Sequence, residues 1–305
     1  MKRILLFACM FAMLFALASC GDKETSTTTT PVGGDVDTAI LYQSNLVTGK
    51  FSKYDLKDDC SIFSGSIVFS EGMITANGTG ASVSGNTVTI TTEGCYKISG
   101  STTNGQIIIN ARDIDKVHLV LNGVSIRCEN NAPLWVQNAD KVCVTLSEGT
   151  VNTFSDGTSF GQGAEDPNAT IYAKDSITFN GNGKLVVNAS LHNGISCSND
   201  LKFISGEYEI NAAYNGVKGK DSVAVLSATV KINAGNDGIK SDEVDDATKA
   251  FVYIAGGDIE ITAVDDGIQA NTAIDLQGGT FTFACGGKTI NAKGAYNIDP
   301  SVKIN

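Results

Sequence analysis

Four short motifs in the C-terminal half set an Asn or Asp against a glycine: Asn193-Gly194-Ile195, Asn215-Gly216-Val217, Asp237-Gly238-Ile239 and Asp266-Gly267-Ile268. Their steps of 22, 22 and 29 residues place the four side chains in one column if the chain repeats. Asn-Gly and Asp-Gly are turn formers, and stacked Asn amides can bond in a ladder, which accounts for Asn193 and Asn215. It does not account for Asp237 above Asp266. Two carboxylates about 5 Å apart repel by roughly 1 kcal/mol in water and by about 3–4 kcal/mol at an effective dielectric of 20. Asp265 adds a third charge, and from 237 to 266 nine acidic residues face only Lys240 and Lys249. Short side chains with hard oxygen ligands, held at turns, suit calcium. The candidate ligands are Asp237, Asp266, Asp265, Asn236, Asp242 and Asn215. A solvated acidic loop beside a strained turn column is the competing reading. There is no EF-hand loop and no toxin-type nonapeptide.

Lys218 and Lys240 follow the Gly-Val and Gly-Ile steps, one repeat apart and beside the acidic column. Calcium acidifies the proton next to a uronate carboxylate, and a lysine takes it; that is lyase chemistry. A neighbouring cation is expected to lower such a lysine's pKa. The plainer reading is two turn lysines paired with acids.

The elements that must hold these residues are strands. Gly183–Ala189, Gly206–Ala212, Ala228–Ala234, Gly257–Ala263 and Gly279–Ala284 alternate apolar and polar residues, with starts 23, 22, 29 and 22 residues apart. Period-two alternation means a strand with one buried face. A shorter apolar strand precedes each, and a third follows at the Gly-Ile or Gly-Val step. A period near 22 residues with several short strands predicts an all-β, single-stranded parallel β-helix. A propeller blade would take roughly 40 residues. Insertions are expected at Thr158 to Asn168 and Ser241 to Ala250, and the first coil near residue 83. Residues 38–82 are expected to cap the open end, and 83–305 to form the repeat domain.

The other features bound compartment and partners. Lys2 and Arg3 precede an apolar run, Ile4 to Ala18, that ends at Ser19-Cys20-Gly21. This predicts a lipoprotein signal over 1–20, with Cys20 lipidated and the protein anchored to a bacterial membrane, as an outer-membrane or cell-surface protein. Residues 21–37, with Thr27 to Thr30, read as a flexible tether. The formal charge of −11 argues against nucleic acid, which needs a basic surface. Cys60, Cys95, Cys128, Cys143, Cys197 and Cys285 are expected as small core fillers rather than a disulfide framework, Cys143 aligning with Val117 and Cys285 with Ala263. His118, in an apolar strand, is expected to be structural. Among aromatics that could stack on sugars (Trp135, Tyr172, Tyr208, Tyr214 and Tyr253), Tyr214 and Tyr253 are the carbohydrate-binding candidates, each also explicable as a coil filler.

Val83–Ile90, Gly105–Ile109, Val117–Val124, Asn138–Val142, Thr145–Thr150 and Asn236–Lys240, taken in order, resemble the carbohydrate-binding domain-containing proteins of bacterial surfaces. The resemblance runs from about Ser82 to Ala284. It implies a right-handed β-helix similar to pectate lyases, with calcium-assisted binding of plant cell-wall polysaccharides such as cellulose and polygalacturonate. The family's Asp-Gly-Ile aspartates fall on Asp237 and Asp266. At Asn193 and Asn215 this chain has Asn where the family often has Asp, which weakens a metal site there. The expected function is a non-catalytic surface lipoprotein that binds an extended glycan. A calcium-dependent polysaccharide lyase and a structural stalk or adhesin are the alternatives.

Overall fold

A computed structural model describes residues 50–160 and 166–305. The signal segment, Cys20, the tether, the start of the expected cap region and part of the first insertion lie outside the described residues. The described chain is all-β: 28 strands in an 18-stranded and a 10-stranded sheet.

Parallel pairing follows the repeat. Thr229–Ala234 lies between Glu207–Ala212 and Asp258–Ala263, each residue opposite its counterpart one repeat away. The alternation sets this register: Val230, Ile232 and Ala234 are buried while Thr229, Lys231 and Asn233 are exposed. A slip by one residue would turn Ile232 outward, forfeiting about 1.5–3 kcal/mol for that side chain. A second row of the larger sheet contains Lys141–Leu146, Ser176–Gly181, Asp200–Phe203 and Ser222–Val225. The smaller sheet stacks Leu134–Asn138, Ala169–Ala173, Asn193–Cys197, Val217–Gly219 and Ile239–Ser241. Each repeat therefore adds one strand to each of three rows around one apolar interior. Phe179 stacks on Phe203 with ring centroids 5.4 Å apart, and Tyr208 meets Phe203 edge-on at 4.8 Å.

Two expectations are corrected. Parallel stacking begins before residue 83: Gly65–Ser70 already pairs in parallel with Gly94–Thr102. Two antiparallel strands, Met73–Gly78 and Ala81–Ser84, terminate the two sheets at this end. Residues 51–60, assigned to a cap over the end, instead run as a strap along a lateral face. There Phe51 packs with Ile204, Ala224, Leu226 and Tyr253. Asp55, fully buried, accepts from Lys141 Nζ (2.8 Å), Lys202 Nζ (3.2 Å) and Thr178 Oγ1 (2.7 Å).

The cysteines differ for the same reason. Cys60 of the strap and Cys95 form a disulfide, while Cys128, Cys143, Cys197 and Cys285 are free. Cys143 lies opposite His118, one residue from the expected partner, because Val142 takes the place opposite Val117. That shift turns Cys143 away from the interior and under the strap, where it meets the Lys57 carbonyl at 3.6 Å. Cys285 lies opposite Ala263, as expected, and Cys197 is an interior filler whose thiol burial pushes up to about 12.

Candidate functional site

The Asx-Gly column is built by close packing. A Cβ on Gly238 would sit 2.4 Å from Ile261 Cγ2 and 2.6 Å from the Gly267 carbonyl oxygen. Gly194, Gly216 and Gly267 are equally crowded, so the glycine in each motif lets successive turns approach. The Asx side chains form a ladder up the turns. Asn215 Nδ2 donates to Asn193 Oδ1 at 2.8 Å. Asn215 Oδ1 in turn accepts from Asn236 Nδ2 (2.8 Å) and the Asp237 N–H (3.2 Å). Asp237 Oδ1 accepts the Asp266 N–H at 3.1 Å. Asp266 accepts the Lys288 N–H at 2.8 Å and Asn291 Nδ2 at 2.5 Å.

The structure brings together three of the six expected ligands: carboxylate oxygens of Asp237, Asp265 and Asp266 lie within 4.8 Å of one another. Gly287 makes room for them. A Cβ there would be 2.7 Å from both Asp265 Oδ1 and Asp266 Oδ1, so two hard oxygens converge on a space only glycine leaves open. This donor set fits a hard cation. The remaining three are engaged otherwise. Asn215 Oδ1 already takes two donors, Asn236 gives its amide to the ladder and to Asp237, and Asp242 is 2.9 Å from Lys218 Nζ. The inserted loop is stitched by further ion pairs, Lys220–Glu243 and Lys249–Asp221, both 2.9 Å. Backbone N–H groups of Asp245 and Val244, with Lys220, hold the Glu243 carboxyl down at about 2.

The two candidate bases are paired. Lys240 Nζ donates to Asp237 Oδ2 at 2.6 Å. Burial lowers its pKa, but the hydrogen bond and charge of Asp237, with Asp242 beyond, outweigh burial and hold it above the ordinary lysine value. The acids of the column reach the ammonium directly.

Two surfaces flank the column that residue motifs alone did not single out as sites. On the smaller sheet, Trp135, Tyr172, Ser196, Lys218, Lys240 and Gln269 are successive register partners. Their chain neighbours Leu134, Ile171, Ile195, Val217, Ile239 and Ile268 are interior, so this row is on the outer face. Trp135 and Tyr172 are half-buried, and the buried indole N–H of Trp135 has no hydrogen-bond partner. On the larger sheet, Asn188, Asn211, Asn233 and Thr262 line a shallow groove of about 390 Å³. Asn233 Nδ2 donates to Asn211 Oδ1 (2.8 Å) and Asn211 Nδ2 to Asn188 Oδ1 (3.1 Å). The signal was present in the recurring Asn-Ala and Thr-Ala that close the alternating strands. Exposed Tyr214 sits in the turn between the two surfaces, whereas Tyr253 and Tyr208 are buried and offer no sugar platform, contrary to the expectation for Tyr253.

A family model described as "Carbohydrate-binding domain-containing protein" matches residues 84–303. The chain belongs to this family. It is 37% identical over 300 residues to a carbohydrate-binding domain-containing protein of Acetivibrio thermocellus, covering 97% of this chain and 96% of the relative. It is also similar to the solved structure of a polysaccharide lyase-like protein from C. thermocellum, a gadolinium derivative. That match has a TM-score of 0.77 and 36% identity, over 79% of this chain and all of the other.

Proposed function

We propose that the protein is a surface-anchored, calcium-assisted polysaccharide-binding lipoprotein without catalytic activity, and that its stacked rows form a right-handed single-stranded parallel β-helix. The observation that carries the reading is the outer row of the smaller sheet. Aromatic Trp135 and Tyr172 lie in register ahead of cationic Lys218 and Lys240, with carboxylates along the edge. Aromatic faces stack on the apolar faces of sugars, and an acidic substituent would compete with Asp242 and Asp237 for the two lysines. Rungs repeating every 4.7–4.9 Å or so suit an extended chain of sugars rather than a compact ligand. The family name and the polysaccharide lyase-like neighbour support this ligand class. A hard cation held by Asp265 and Asp266, with Asp237 behind them, would bridge the column to acidic groups of the glycan.

The test is affinity electrophoresis against neutral and uronate-rich plant polysaccharides, in calcium and in chelator. Retention by an acidic glycan that weakens in chelator and in Trp135→Ala supports the proposal. No retention by any polysaccharide sinks it in favour of a stalk. Unsaturated uronate product that disappears in Lys240→Ala would establish the lyase alternative.

A further inference from the structure

The strap carries a second constellation, remote in sequence from the acidic column. Cys60 and Cys95 are joined, and His118, only 4% exposed, sets its Nδ1 3.2 Å from Cys60 Sγ. The tautomer of His118 follows from its neighbours. Asn180 Nδ2 donates to the carbonyl oxygens of Lys57 (2.8 Å) and Asp55 (3.2 Å), which can only accept. Asn180 Oδ1 is therefore the atom that accepts the Thr145 hydroxyl at 2.5 Å. Having given its proton to Asn180, Thr145 Oγ1 accepts from His118 Nε2 at 2.7 Å. The ring thus carries its proton on Nε2 and turns the Nδ1 lone pair toward Cys60. A disulfide sulfur has no hydrogen to offer, so among the described residues this acceptor, on the wall of a cleft, has no donor in the oxidised protein. Buried polar atoms left this way call for an explanation.

We propose that Cys60, Cys95 and His118 form a redox-gated site for a thiophilic metal ion of the Zn²⁺ class, closed by the disulfide and opened by a dithiol reductant. The three ligand atoms lie within 4.8 Å of one another. Two thiolates and an imidazole are a recognised zinc set, and a histidine ligand that donates its other ring N–H to a fixed acceptor is the usual supporting arrangement. The site opens on a cleft of about 500 Å³ lined by Tyr54, Lys57, Ser61, Glu93 and Lys116, which gives ion and reductant a way in and leaves room for a fourth ligand. The step balances. The dithiol passes two electrons and two protons to the disulfide and is itself oxidised. The metal then displaces one proton from each cysteine thiol and takes the Nδ1 lone pair as it stands. The strap is tied down by disulfide in one state and by metal in the other.

The test uses the whole protein, oxidised and after treatment with a dithiol that is then removed, with Co²⁺ as a spectroscopic probe and Zn²⁺ as competitor. The proposal expects a thiolate-to-cobalt absorption band at one ion per chain, seen only after reduction and bleached by Zn²⁺. The band should be lost in Cys60→Ser and in Cys95→Ser. In His118→Gln the affinity should fall by more than the roughly 10–100-fold that loss of a supporting partner costs. Should these variants fail to fold, the parent decides: after reduction, Zn²⁺ should protect Cys60 and Cys95 from alkylation, mapped by mass spectrometry, and leave half-buried Cys285 reactive. Absence of the band, equal binding by His118→Gln, a disulfide the dithiol cannot reduce in the folded protein, or no Zn²⁺ protection each overturns the proposal.

Discussion

Replacing Asp265 by Asn separates a cation site from a turn ladder. Its carboxylate is exposed and makes no hydrogen bond to the described residues, yet it lies within 4.8 Å of carboxylate oxygens of Asp237 and Asp266. At that distance and in water each like-charge pair costs about 1 kcal/mol. Lys240 on Asp237 offsets part of one pair. Neutralising Asp265 should then stabilise the calcium-free protein by about 1–2 kcal/mol, or about 2–8 °C in Tm at roughly 2–4 °C per kcal/mol. Calcium at a hundred times Kd stabilises a one-site protein by about 2.7 kcal/mol. The parent Tm should therefore rise by about 5–10 °C. A variant with tenfold weaker calcium binding loses about 1.4 kcal/mol of that, or about 3–6 °C. Asp266→Asn is a poorer choice. Both Asp266 oxygens accept donors, from Lys288 and Asn291, and an amide would set its own NH₂ against one of them. The assay is thermal unfolding of parent and Asp265→Asn in calcium and in chelator. A parent Tm that calcium leaves unmoved refutes the cation site, and a variant that melts below the parent in chelator refutes the repulsion argument.

Three further outcomes are expected. Asp55→Ala strands Lys141 and Lys202 in the strap interface, a cost of about 3–5 kcal/mol readable as a lower urea midpoint. In the parent, burial raises the Asp55 pKa, but Lys202 and Lys141 outweigh it and hold the group well below the carboxylate range. Its contribution is therefore complete above the unfolded value of about 3.9 and lost as pH falls through the folded one, so acid titrations of parent and Asp55→Ala should begin to approach each other below about pH 4 and draw together only as pH falls through the much lower folded value. Gly238→Ala drives a methyl into Ile261 and the Gly267 carbonyl and should cost about 1–3 kcal/mol, with unchanged thermal stability contradicting the packing described. Cys20→Ala should leave an unprocessed precursor and shift the protein out of the membrane fraction, and unchanged fractionation would exclude the lipid anchor.

The repeat could be read from residues alone because each strand states its own register. The alternation in Thr229–Ala234 and its counterparts fixes which side chains are inside, and the glycines of the Asx-Gly steps mark where turns must touch. Stacking one repeat on the next, with the insertion at Ser241 to Ala250 looped out, then places Asp237 above Asp266. The strap was illegible for the converse reason. It occurs once, has no period, and its burial depends on partners as distant as Lys202, 147 residues from Asp55. Whether Cys95 faces inward or meets Cys60 turns on a one-residue register that only the packed sheet decides, as does the placing of Cys143 opposite His118. The same holds for the outer row. Trp135 and Lys240 lie more than a hundred positions apart, and only coiling into three rows sets them on one face. Local sequence determined the strands and turns, whereas tertiary structure decided which polar side chains are neutralised and therefore what each can still bind.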